Sequence, residues 1–281
     1  MRSASGFLAL LFVSSLSAAE TRIIVADHET KKVIKIDLDG KLIWDATNNN
    51  GHDVQLLPNG NLLIVNGSVV QEIDKDKRVV WEAGKPQVKT AESAQRLTNG
   101  NTVIADIGAM KVIELDEDKK IVWEYAVPND NKRKPATMRQ MRRIENGNTL
   151  ICASTEDRVI EVTPEGKIAW SHALPFPYLA TRLANGNTLI SSGSGYGSPV
   201  GYYVIEVDSA GKTVWKYGGE EGPADQKLNW PSGHFRLANG NTLISIARDG
   251  VIREVSQEKK TVRVIKSPAM KHPCTLVVVE E

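Results

Sequence analysis

The chain has 281 residues, with 35 Lys and Arg against 34 Asp and Glu, and 41% of it is hydrophobic. The near-balance of charge excludes the strongly basic profile of a nucleic-acid binder and the acidic profile of a disordered tail, and the apolar fraction fits a globular protein. Only the first twenty residues are apolar enough to concern a membrane.

Those residues read as a targeting segment. Arg2 supplies a small positive region, Gly6 to Leu16 an apolar stretch too short for a comfortable span, and Ser17-Ala18-Ala19 the small residues for cleavage before Glu20. Residues 1–19 are therefore expected to be a signal peptide. Residues 20–281 are expected to be a single exported domain, periplasmic or extracellular, monomeric and without membrane attachment.

From residue 20 onward the chain repeats. LPNGNLLI at 57–64, LTNGNTVI at 97–104, IENGNTLI at 144–151, and LANGNTLI at 183–190 and 237–244 are five copies of one string. The first Asn of each falls at 59, 99, 146, 185 and 239. A period of roughly forty residues is a propeller or solenoid signal. Asn-Gly between apolar runs predicts a hairpin, here with a two-residue turn that has positive φ at both central positions. A second signature follows each copy: QEIDKDKRVVW, IELDEDKKIVW, IEVTPEGKIAW, IEVDSAGKTVW and REVSQEKKTVR. Its alternation adds two strands. Four antiparallel strands per repeat, A to D, make a propeller blade.

The two ends supply one more. Residues 22–44 contain B, C and D strands without an A strand, and Cys274 to Val279 is a lone strand. Joined, they predict a composite sixth blade from 20–45 and 270–281 that closes the ring. The fold class is thus all-β, a six-bladed β-propeller. Trp44, Trp81, Trp123, Trp170 and Trp215 recur on strand D and are expected between blades, as are Arg96, Arg143, Arg182 and Arg236 at their own repeated position. Cys152 and Cys274 fall in opposite blades and are expected to be free thiols.

The pairing of NGNTLI with VIEVDxxGKxVW resembles the repeat of arylsulfotransferase-like and pyrroloquinoline-quinone-type propellers over nearly all of the chain after the leader. The quinone enzymes so resembled are typically eight-bladed, with a vicinal cysteine pair and calcium-linked acidic residues. Here the cysteines lie 122 residues apart, so no cofactor is expected. The arylsulfotransferases have six blades and use histidines and an arginine at the mouth of the central channel, where one His becomes sulfated. The GHDVQLLPNGN string at 51–61 looks most like their His-bearing strands. This chain is much shorter and has no evident extra N-terminal domain.

Features that depart from the repeat are candidates for function. Length variation concentrates in B–C loops and D–A crossovers, at 45–53, 126–140, 191–203 and 216–234, so that face is the expected binding face. Seven residues before the turn Asn, the A strands carry His52, Glu92, Arg139, Tyr178, Ser232 and His272. Two residues further in come Val54, Ala94, Met141, Ala180, His234 and Cys274. The candidate ligand-binding residues at this mouth are His52, Asp53, Arg139, Arg142, Tyr178, His234 and His272, with His28 and His172 expected in loops of the same face. Clustered His and Arg suit sulfate, phosphate or a carboxylate. No metal site is expected, since His52, His234 and His272 come from three blades with no ligand spacing. Lys132-Arg133-Lys134 reads as a solvated loop and GSGYG at 193–197 as a flexible one. The leading reading is an exported interaction module for a protein, glycan or small anionic ligand, without catalytic residues. The alternative is a group-transfer enzyme of the arylsulfotransferase kind.

Overall fold

Among the described residues twenty-four short strands form, because each apolar run of about five residues ends at a Gly, Asn or Asp turn. In chain order they are β1 (Thr21–Asp27), β2 (Lys32–Asp37) and β3 (Leu42–Thr47); β4 (Val54–Leu56), β5 (Leu62–Asn66), β6 (Val69–Ile73) and β7 (Val79–Ala83); β8 (Ala91–Arg96), β9 (Thr102–Asp106), β10 (Lys111–Leu115) and β11 (Ile121–Ala126). There follow β12 (Met141–Arg143), β13 (Thr149–Ala153), β14 (Arg158–Val162) and β15 (Ile168–Ala173); β16 (Pro177–Arg182), β17 (Thr188–Ser192), β18 (Tyr203–Val207) and β19 (Thr213–Gly218); then β20 (Pro231–Arg236), β21 (Thr242–Ile246), β22 (Val251–Val255), β23 (Thr261–Lys266) and β24 (Pro273–Glu280). The structure is a computed structural model describing residues 20–49, 51–130, 137–193 and 202–281. The leader, the basic run at 132–134 and all but Gly193 of the GSGYG segment lie outside them.

The strands make six four-stranded antiparallel sheets, one per blade. Blades 1 to 5 each use four consecutive strands. Blade 6 has the order β24-β1-β2-β3, with Arg22 opposite Val279 and Val25 opposite Leu276. The predicted closure is therefore present. A six-bladed β-propeller results, in which chain neighbours are ring neighbours and β24 touches both β20 and β4.

The hairpin turn differs from the expectation. Only its glycine has positive φ, at 84° for Gly60 and 87° for Gly240. Gly60 N–H donates to Leu57 O and Leu57 N–H to Asn61 O. This is a three-residue loop ending in a left-handed Gly, and the preceding Asn acts through its side chain: Asn59 Oδ1 accepts from Asn61 N–H at 3.0 Å.

The rest of the signature locks blade to blade. Asn101 Nδ2 donates to Glu114 Oε1 at 2.7 Å, and Arg143 of the next blade pairs with Glu114 at 2.8 Å while stacking 5.1 Å from the Trp123 ring. The same set recurs as Glu72, Arg96 and Trp81, as Glu161, Arg182 and Trp170, and as Glu206, Arg236 and Trp215. At blade 5 the Trp is replaced by Arg263, which pairs with Glu254 inside the blade at 2.8 Å. That substitution is coherent, because the Arg position of blade 6 is Leu276. The partly buried Trp faces pack on the apolar clusters between blades.

Candidate functional site

The A strands start at one end of the ring axis, and D–A crossovers deliver their first residues there. Asp27, fully buried at the end of β1, fixes one such start: its Oδ2 accepts from the backbone N–H groups of Lys271 and His272 at 2.8 and 2.7 Å. Asp106 holds the start of β8 in the same way, accepting from Lys89 and Thr90 N–H.

Four of the candidate residues meet around this mouth. His52 Nδ1 lies 2.6 Å from Glu92 Oε1, and Arg139 Nη1 lies 2.5 Å from the same oxygen. The shared oxygen places the Glu92 carboxylate as acceptor, so His52 donates from Nδ1 and presents Nε2 to His28 Nδ1 at 2.8 Å. The His28 ring packs edge-on against His52 and His272, with centroids 4.5 and 5.8 Å apart. Arg139 lies 5.2 Å from the Tyr178 ring, whose hydroxyl donates to Cys274 Sγ at 3.5 Å. Burial would raise the Glu92 carboxyl, but His52 and Arg139 outweigh it and hold it down at about 2. Burial pushes Tyr178 up, lowers His272 with help from its histidine neighbours, and lifts the Cys274 thiol to about 12.

One layer deeper, Asp53 is buried and accepts from Arg142 at 2.8 and 3.0 Å, from Ser93 Oγ at 2.8 Å and from Ala94 N–H at 3.1 Å. Gln140 of blade 3 reaches across the axis to Thr275 Oγ1 of blade 6 at 3.1 Å and to His52 O at 2.9 Å. Asp53 and Arg142 thus pair with each other beneath the mouth.

The other two histidines stand apart. His234 is buried in the wall between blades 4 and 5, against Ser191 Oγ at 2.7 Å and Thr181 Oγ1 at 3.1 Å, and burial lowers it to about 3. It stays neutral at the pH values where an exposed histidine charges. His172 is part of β15 on the rim, stacked on Trp170, not in a loop. Both thiols are buried and free in opposite blades, so the vicinal pair of the quinone enzymes has no counterpart and the residues do not fit that cofactor. Among the described residues no cluster of His, Cys, Asp and Glu suits a metal ion, and no helix is long and apolar enough to cross a membrane.

Sequence reasoning missed three features. Glu92 stood in the entrance row as its only acid among His, Arg, Tyr and Ser, and that contrast was the available signal. Asp27 repeats at the end of strand B as Asp106. The third is a rim cluster in which Arg248 lies 4.6 Å over the Trp230 ring and donates to Tyr202 OH at 3.3 Å. Trp230 adopts φ +68° beside His272, and its indole N–H is buried without a partner among the described residues.

The comparisons agree with this architecture. The sequence profile of the family described as outer membrane protein assembly factor BamB matches residues 11–145, just under half of the chain. No curated protein matches. A protein of unknown function from Bacteroides caccae superposes with a TM-score of 0.76 at 19% identity, over 93% of this chain and 100% of that one. Virginiamycin B lyase from Staphylococcus aureus, in a catalytically inactive histidine-to-alanine form with quinupristin, gives 0.57 at 13% identity, over 89% of this chain and 75% of that one. BamB from Moraxella catarrhalis gives 0.52 at 13% identity, over 92% of this chain and 76% of that one. The chain is a six-bladed β-propeller whose first half is similar in sequence to BamB.

Proposed function

We propose that the protein is an exported interaction module that holds a protein partner on its B–C and D–A loop face. The observation that carries this reading is the Trp230–Arg248–Tyr202 cluster on that rim. Trp, Arg and Tyr dominate the energetics of protein interfaces, where each offers a large area and a directed polar group. A bulky residue held at positive φ is costly and persists where function retains it. The similarity to an assembly factor supports the same class of role. A photo-crosslinking residue at position 248 is expected to give one discrete adduct in intact cells, lost on Trp230→Ala. The same residue at position 239, on the A–B turn face, is expected to give none. Adducts from position 239 alone would overturn the reading.

A second reading rests on the Glu92–His52–His28 series. A carboxylate that fixes one imidazole nitrogen and leaves the other to a partner, here His28 Nδ1, is the arrangement of an activated histidine. The lyase that superposes here is inactivated by loss of one histidine. Group transfer of the arylsulfotransferase kind would then begin at this mouth, with Arg139 beside the transferred anion. It predicts release of p-nitrophenol from p-nitrophenyl sulfate in the presence of phenol, abolished by His52→Ala. Release at the uncatalysed rate would exclude that chemistry.

A further inference from the structure

The two ends of the axial channel differ. At positions six and four before the turn Asn, blades 1 to 3 carry Asp53, Gln55, Ser93, Gln95, Gln140 and Arg142, whereas blades 4 and 5 carry Leu179, Thr181, Gly233 and Phe235. One half of the wall is polar and the other mostly apolar. The polar half is knit together: Gln55 and Gln95 bond the backbone of the next blade at Arg96 and Arg143, and Asp53, Ser93, Gln140 and Arg142 form a floor across the axis. On the far side of this floor from the histidine mouth, a cavity of about 650 Å³ opens between the A–B turns. That volume is within the usual range for small-molecule sites.

The lining gives the ligand its chemistry. Leu179, Leu183, Phe235, Leu237 and Leu276 supply an apolar wall. The charged residues among the lining are Arg142, Arg182 and Arg236, with no carboxylate. Arg182 and Arg236 are tied to Glu161 and Glu206 between the blades. Arg142 lies at the floor; its side chain is 22% exposed although its partner Asp53 is 1% exposed. Part of the Arg142 side chain thus stays accessible among the lining residues of the cavity.

We propose that this cavity is a second binding site, for a small amphipathic anion with a single carboxylate on an extended apolar body. The body lies against Leu179 and Phe235, and the carboxylate meets Arg142. In a low-dielectric pocket one directed guanidinium contact discriminates strongly between an anion and its neutral analogue. The site is independent of the loop-face reading, since it opens on the opposite side of the ring.

Titration calorimetry of residues 20–281 with decanoate and with decanol tests it. Decanoate is expected to bind one to one, at least tenfold tighter than decanol. Thr181→Phe fills the cavity without touching the Asp53–Arg142 pair and should remove both. The double variant Asp53→Asn, Arg142→Gln leaves net charge unchanged and should weaken decanoate to the level of decanol, with decanol unaltered. If the double variant does not fold, Thr181→Phe still decides the matter. No saturable decanoate binding, equal affinity for decanol, or binding that survives Thr181→Phe would overturn the proposal.

Discussion

Removal of residues 273–281 is expected to abolish cooperative folding. β24 is the innermost strand of blade 6, and Pro273, Cys274, Thr275 and Leu276 are buried in it. Each large apolar side chain so buried contributes about 1.5–3 kcal/mol. The ladder to β1, the bridge from Gln140 to Thr275 and the contact of Tyr178 with Cys274 are lost with it. Together these approach the whole net stability of a domain, about 5–15 kcal/mol. The truncation also leaves β1 as an open inner edge and breaches the channel wall. Circular dichroism should show no sigmoidal melt, and a synthetic peptide of residues 271–281 added in trans should restore one. A truncated protein melting within a few degrees of the full chain would show that the ring does not depend on its closure.

Glu92→Gln is expected to have the second largest effect, and a distinctive pH signature. The folded-state pKa of Glu92 is depressed to about 2 from an ordinary 4.5. Its contribution to stability is therefore complete above about pH 4.5 and is lost as pH falls toward 2, amounting to about 3 kcal/mol. The groups facing it are His52 and Arg139, with Tyr178 and Cys274 behind them. In the Gln variant Arg139 and His52 lose their carboxylate, a cost of about 3–5 kcal/mol at pH 7 for a broken buried pair. Urea unfolding at pH 7, 5, 4 and 3 should show the gap between the two proteins narrowing, as the unfolded chain takes up the proton that folded Glu92 resists. A constant gap between them at every pH would mean that Glu92 is not held ionised by these partners.

The architecture was legible because one string recurs with its chemistry intact. Asn-Gly marks the inner hairpin, and the Glu, Trp and Arg that follow are the parts of a lock between blades. The turn was misread because only its Gly is left-handed, and the Asn could serve either by backbone or by side chain. Alignment on that turn also put His52, Arg139, Tyr178 and His272 at one height, which the structure preserves. It gave no view of neighbours across the ring. Hence Glu92, a lone acid in a repeated row, did not appear as the group that organises His52 and Arg139. His234 sits only two residues deeper, yet that step takes it from the mouth into a buried wall. Trp230, Tyr202 and Arg248 occupy loops with no register to align, so their convergence is visible only in three dimensions.

The pairing of β1 with β24 also orders events in time. β1 is among the first strands of the domain to be synthesised, and its partner is the last, so their register spans almost the entire chain. Contacts of such separation form late and slowly. Five blades can assemble as they emerge, each from consecutive strands, but blade 6 waits as a three-stranded fragment until the terminal strand arrives. The ring therefore stays open until β24 has followed the five complete blades, and that strand acts as the latch of the domain.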